Sequence, residues 1–283
     1  MPKALLFVFL SILSARSVLA VTLYDASLGT LPSEQSWVSF SNPGGITYQG
    51  TMTRMTTTPN YGDVGVVSTE LTFGGLARHP LMPVLNIADG FEVSFSLQIL
   101  SESHNMSRDD NNDGLLDRAG FSVLILSTDL RGIEIAFFID KIWAYEDDKT
   151  NAGDKFTQAE NAVFDTTKFV RYKLVGSEGG YSLFADGVNI LSGHWRTYHP
   201  SGVDPFKNPY DNPSSLFFAD NTQSAASDIL LGDISVEIGP FPAPHLVPIP
   251  ISMLVILNGA LLIIASRFLS QRGYREKRSL CSK

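Results

Sequence analysis

From Phe91 to Ile99 apolar and polar residues alternate without a break. Phe91, Val93, Phe95, Leu97 and Ile99 point one way, and Glu92, Ser94, Ser96 and Gln98 the other. That period of two is the pattern of a half-buried β-strand, and a helix cannot use it. The pattern recurs at Phe121, Val123 and Ile125. It returns at Ile133, Ile135, Phe137 and Ile139, after a turn at Asp129-Leu130-Arg131-Gly132. Val170, Tyr172 and Leu174 alternate with Arg171 and Lys173, and Ser177-Glu178-Gly179-Gly180 turns the chain into a strand from Tyr181 to Ala185. Asp186-Gly187 is a two-residue hairpin signal, Val188 to Leu191 forms the return, and Ile234, Val236 and Ile238 close the series. No convincing helical period appears between residues 21 and 238. Many short strands with frequent turns predict an all-β sandwich or barrel.

Composition supports one self-sufficient core. The chain has 283 residues, 44% of them hydrophobic. Its single cysteine, Cys281, lies near the C-terminus, so the body must hold together without disulfides, which roughly 220 residues can do. Thiol catalysis and thiolate metal sites are excluded from the body. Residues 21–250 hold 13 Lys and Arg against 28 Asp and Glu, a net of −15. That balance argues against nucleic acid and suits cations or neutral ligands such as glycans.

The ends carry their own signals. Lys3, an apolar run from Ala4 to Leu13 and the small-residue site Val18-Leu19-Ala20 predict a signal peptide over 1–20, the alternative being a buried N-terminal helix. Residues 239–250 form a proline-rich linker. An apolar stretch over 251–269 predicts one transmembrane helix, followed by a basic tail over 270–283. Lys and Arg beyond the span place the C-terminus in the cytoplasm and the body outside. The expected localisation is therefore the cell envelope or the exterior.

Val247, Pro248 and Pro250, the apolar stretch and Arg267, Arg272, Arg275 and Arg278 resemble the PEP-CTERM sorting signal. Ile249 stands where that family usually has Glu. The resemblance implies an exosortase, a membrane protease, as partner and removal of the tail; the alternative is a permanent anchor. The strand from Phe169 to Val175, the hairpin Tyr181 to Leu191 and the stretches Ser215 to Thr222 and Ser227 to Val236 resemble the closing strands of concanavalin A-like jelly-roll sandwiches. They are similar to the laminin-G-like and choice-of-anchor domains found beside such signals. The fold expected from this resemblance is an all-β jelly-roll sandwich over 21–238.

Asp109-Asp110-Asn111-Asn112-Asp113-Gly114-Leu115-Leu116-Asp117 puts side-chain oxygens at positions 1, 3, 5 and 9 of a short loop, with Gly at 6. Alternate oxygens on a tight turn converge on a hard cation. The segment resembles the first nine positions of EF-hand-like and dockerin-like calcium loops, with Asp109, Asn111, Asp113 and Asp117 as ligands for Ca2+. Position 12 is Gly120 in place of the EF-hand Glu, and the alternative is a solvated polar turn. Glycosidase chemistry needs two facing carboxylates. Glu134 and Asp140 are too far apart along one strand, and 134–140 does not match the Glu-x-Asp-x-x-Glu strand of the glucanase branch. Glu134 is therefore expected to be a solvated outward residue. The five histidines lack zinc-ligand spacing. Trp143 and Tyr145, and Trp195 and Tyr198 in the run from His194 to His199, are candidates to stack on sugar rings, or are ordinary packing residues. The expectation is a non-enzymatic surface or matrix module that binds extracellular polysaccharide with Ca2+ support. The alternative is a divergent glycoside hydrolase or lyase.

Overall fold

A computed structural model describes residues 20–58, 60–72, 75–105, 108–147, 155–198 and 208–241. The signal peptide apart from Ala20, the sorting motif at Val247, Pro248 and Pro250, the expected membrane helix and the basic tail lie outside these residues. Among the described residues no helix is long and apolar enough to cross a membrane.

The strands in chain order are β1 Val21–Tyr24, β2 Val38–Asn42, β3 Gly45–Gln49, β4 Met52–Thr56, β5 Asp63–Val67, β6 Thr69–Thr72, β7 Gly75–Arg78, β8 Phe91–His104, β9 Ser122–Leu126, β10 Gly132–Phe137, β11 Lys141–Tyr145, β12 Gln158–Val163, β13 Val170–Ser177, β14 Gly180–Ala185, β15 Val188–Gly193, β16 Ser215–Asp220 and β17 Ala225–Ile238. They form an all-β sandwich. One eight-stranded sheet runs β15-β14-β13-β8-β17-β4-β3, with β1 also paired to β17; the seven-stranded sheet runs β12-β11-β10-β9-β16-β5-β2; β6 and β7 make a separate ribbon.

The Phe91–Ile99 alternation lies in the middle of the larger sheet. Its five apolar side chains are buried against the inner face of the other sheet. Phe95 shows how the layers lock: its ring stacks on Tyr172 of its own sheet at 5.5 Å and meets Phe218 of the facing sheet edge-on at 5.3 Å. Removing such a ring costs about 3–5 kcal/mol. Phe121, Val123, Ile125, Ile133, Ile135, Phe137, Tyr172 and Leu174 join this core as the alternation predicts. Asp186 and Gly187 have φ of 47° and 82°, the left-handed pair that a tight hairpin requires. Ile139 departs from the pattern: β10 stops at Phe137, and Ile139 is 41% exposed in the turn that follows.

The middle strands of the smaller sheet are buried on both faces. A second cluster, including Leu124, Leu126, Ala136, Phe138, Trp143, Tyr145, Tyr198, Tyr210 and Phe217, covers its outer side. This is why β9 and β10 are buried at every position.

Candidate functional site

The register of the seven-stranded sheet sets the floor of a groove. One cross-strand row of its outer face reads Trp143, Ala136, Ser122, Ala219, Gly65 and Phe40. The four middle residues are small. At about 4.8 Å per strand they span roughly 15 Å between two aromatic ends, and of the four Ser122 and Ala219 line a cavity. Gly65 is needed there for space: a Cβ would stand 2.3 Å from Ala219 Cβ and 2.7 Å from Phe40 Cζ. The next row reads Glu134, Leu124, Phe217, Val67 and Val38.

A short turn over Pro209–Asp211 lies against this face, its start capped by the Asn208 side chain, which accepts from Tyr210 N at 3.1 Å. Cavities open on either side and share Asn208, Pro209 and Asn221. The first, of about 270 Å3, is lined by residues that include Arg118, Ser122, Glu134, Tyr145, Phe156 and Tyr210. The second, of about 400 Å3, is lined by Phe40, Asn42, Asp63, Glu70 and Phe217 among others.

Glu134 sits at the bottom of the first cavity, 3% exposed. The Ser122 hydroxyl donates to Oε1 at 2.6 Å and the Tyr210 hydroxyl to Oε2 at 2.5 Å. Burial lifts the Glu134 carboxyl above the ordinary range, against the pull of these two donors and of the Arg118 charge. Burial and the neighbouring Glu134 raise Tyr210 and Tyr198 well above the usual phenol. The Tyr198 hydroxyl accepts from Glu134 N at 3.1 Å and donates to Tyr145 O at 2.9 Å, so both hydrogen-bonding roles are taken. The expectation that Glu134 is solvated is thus corrected. Its outer-face neighbours Ala136, Phe138 and Leu124 are apolar, and the strand is covered where an exposed face was assumed.

The four aromatic candidates separate. Trp143 is fully buried, with Phe138 edge-on at 4.3 Å and Tyr145 at 5.8 Å. Tyr198 is buried and stacked on Phe156 at 6.2 Å. Trp195 wedges between Phe91 and Tyr181 and donates its indole N–H to Ser177 O at 2.7 Å. Those three rings are spent on packing, and of the four only Tyr145 is among the described lining residues of the cavities. The aromatic plane the sequence reading missed is Phe40, half-buried and stacked on Phe217 at 5.8 Å and 19°. Its signal was present, since Val38, Phe40 and Asn42 alternate on one face of β2.

The 109–117 loop joins the groove through Arg118. That side chain pairs with Asp110 Oδ2 at 2.7 Å, donates to Phe156 O at 2.9 Å and lies 5.1 Å from the Phe156 ring centre. Within the loop, Asp109 accepts from Asp113 N and Gly114 N, both at 2.9 Å, and Asp113 accepts from Leu115 N at 2.8 Å. Asn111 accepts from Asp113 N at 3.2 Å. Gly114 has φ of 86°, the left-handed turn expected at position 6. Asp117 is completely buried: Oδ2 accepts from Asp110 N at 2.6 Å, while Oδ1 has no hydrogen-bond partner among the described residues. Burial and the nearby Asp113 and Asp110 charges raise its pKa, with the Asp110 N–H and Arg118 opposing them. Among the described residues no three acid, His or Cys side chains already converge on one point.

No protein-family model matches the chain, and no curated protein matches it. Among solved structures, the chain is similar to a carbohydrate esterase from the Shiga toxin-encoding bacteriophage phi24B, with 14% identity, 78% of this chain and 100% of that one covered, and a TM-score of 0.48. It is similar to a galectin-like-fold protein of unknown function from Bacillus subtilis, with 10% identity, 77% and 97% coverage and a TM-score of 0.42. It is also similar to SCLam, a non-specific endo-β-1,3(4)-glucanase of family GH16, with 9% identity, 78% and 92% coverage and a TM-score of 0.43. The likeness is one of fold alone.

Proposed function

We propose that the chain is an exported, concanavalin A-like jelly-roll module that binds glycan in the groove on the outer face of its seven-stranded sheet, without catalysis. The observation that carries this reading is the groove itself. Ser122 and Ala219 floor the first cavity, Phe40 lines the second, and the amides of Asn208 and Asn221 and the Arg118 guanidinium stand along their walls. Apolar planes with a few convergent polar groups are what a sugar ring requires.

The first cavity holds a single carboxylate among its described lining residues, which favours binding over hydrolysis there. Glu134 is the one acid among the described lining residues of the first cavity, and both of its oxygens are engaged. The second reading, a divergent carbohydrate-active enzyme, draws on that same residue, because a buried carboxyl with a raised pKa can serve as a general acid. Ca2+ held by Asp109, Asn111, Asp113 and Asp117 would supply the partner that Asp117 Oδ1 lacks and fix the loop that holds Arg118. The PEP-CTERM-like tail is the sorting signal for an exosortase-type protease, and delivers the body to the cell surface or beyond.

Binding of the full chain to a panel of immobilised glycans, beside Arg118→Ala and Asn221→Ala, tests this reading. Glycan capture weakened about tenfold by either substitution supports it. Capture of none, or capture that neither substitution changes, overturns it. Release of reducing ends that Glu134→Gln abolishes would establish the enzymatic reading instead.

A further inference from the structure

His79 follows the last residue of β7 and is 4% exposed, with both ring nitrogens engaged. Nε2 lies 2.8 Å from Gln35 O, and Nδ1 accepts from Leu81 N at 3.2 Å. A carbonyl only accepts and an amide N–H only donates, so these partners fix one neutral ring with its proton on Nε2. A second proton has only Nδ1 to go to, where it would face the Leu81 N–H and remove the bond that closes the turn. The same proton would leave a charge inside the protein.

The charged groups on the elements around His79 are turned elsewhere. Arg78 gives its guanidinium to Pro83 O at 2.7 Å and to Ser214 Oγ at 3.1 Å. Asp25 accepts from Ser27 N, Asp233 from Ala26 N and Glu34 from Leu31 N. Glu70, opposite Ala77 in the ribbon, lines the second cavity. Burial lowers the His79 pKa, opposed by its bonds to the Gln35 and Leu23 backbone.

The turn that His79 closes is tied to the groove. His79 O accepts from Met82 N at 3.0 Å, and the loop runs on to the fully buried Leu85. Three bonds join this loop and Arg78 to one hydroxyl: Ser214 Oγ accepts from Arg78 Nη2 and, at 2.9 Å, from Leu85 N, and donates to Pro83 O at 3.2 Å. Ser214 has φ of 54°, a left-handed backbone that a serine keeps only while its surroundings hold it. It ends the segment whose Asn208 and Tyr210 wall the first cavity.

We propose that His79 is an acid-sensitive latch on the groove: a proton on Nδ1 opens the turn at 79–82, the loop's hold on Ser214 loosens, and the wall over 208–214 loosens with it. The latch stands on these contacts alone; release of bound glycan at acid pH rests on the glycan reading above.

The test is hydrogen–deuterium exchange of the full chain between about pH 7.5 and 5, corrected for the intrinsic exchange rate. A ring freed from its pocket takes its proton near pH 6.5, so each unit below that favours the open form by up to about tenfold. Protection in peptides covering 79–86 and 208–216 should therefore begin to fall near pH 6.5 and be about tenfold lower at pH 5, with β13 to β15 unchanged. His79→Gln keeps one donor and one acceptor but does not titrate, so its protection should be equal at both ends of the range. Constant protection in the parent, a fall that His79→Gln retains, or a fall confined to 79–86 overturns the latch. So does a fall that begins only below about pH 4.5, where carboxylates titrate, and this reading needs no variant. Glycan capture lost by the parent at pH 5 and kept by His79→Gln supports the release step. Capture at neither pH, beside a fall in protection that depends on His79, overturns the glycan reading and leaves the latch standing.

Discussion

Tyr210 donates its hydroxyl to Glu134 across 2.5 Å, although 76 residues separate them in sequence. That bond ties the turn at Pro209–Asp211 to the floor of the sheet, and the turn divides the groove into two cavities. The shape of the candidate site therefore depends on one phenol and one carboxyl.

Tyr210→Phe leaves Glu134 Oε2 without its donor inside a buried site. An unsatisfied buried acceptor costs about 1–3 kcal/mol. For a domain of this size that is a fall of roughly 3–9 °C in the unfolding temperature, read by calorimetry. Loss of glycan capture should accompany it, because the turn is no longer held. A Tyr210→Phe chain that unfolds and binds like the parent would show that the bond does not anchor the turn.

Stability should fall as pH rises toward mild alkalinity. Burial lifts Asp220 to about 8, against the donors Thr57 Oγ1, Thr222 N and Ser227 N. Unfolded, the same group releases its proton near 4. Between those values the native state binds more protons, so this contribution is complete below about pH 4, declines as pH rises and is gone above about pH 8. At ~1.4 kcal/mol per pKa unit the loss is on the order of several kcal/mol. Asp220→Asn, neutral throughout, should flatten the decline in urea midpoints between pH 4.5 and 8. Parallel curves for the two chains would contradict this origin.

Gly65→Ala tests the trough. Its methyl would meet Ala219 Cβ and Phe40 Cζ well inside contact distance. Overpacking of this kind costs about 1–3 kcal/mol. The substitution should displace Phe40 and weaken glycan binding more than stability alone explains. Unchanged affinity would separate Phe40 from recognition.

Calcium gives the fourth prediction. If the 109–117 loop binds it, saturating Ca2+ at a hundredfold excess over Kd stabilises the fold by about 2.7 kcal/mol. Asp117→Asn should remove most of that gain and should leave the Ca2+-free chain near its parent stability, because the acceptor for Asp110 N is kept. No response to Ca2+ in the parent chain would leave the loop a polar turn.

How far the sequence could be read depended on which face of a strand was at stake. Where one face meets the core and the other meets water, as at Phe91–Ile99, a period of two is visible and the strand is placed correctly. Turn chemistry was equally legible, at Asp186-Gly187 and at Gly114. The outer face of the smaller sheet was not. There Glu134 alternates with apolar residues as a surface side chain does, yet a segment distant in sequence, carrying Asn208 and Tyr210, covers it. No local pattern announces a cover that arrives from more than seventy residues away. Asn42 and Asp63 escaped for a related reason, since only the pairing of β2 with β5 sets them opposite each other.

Hydrogen–deuterium exchange of the full chain, with and without a saturating glycan of the panel, decides whether glycan sits in the groove. Slower exchange is expected in peptides covering 38–42, 63–70 and 208–222, which hold lining residues of the two cavities, with unchanged exchange in β13 to β15 at the far sheet. Protection confined to β13–β15, or no protection by this or any glycan of the panel, would contradict it.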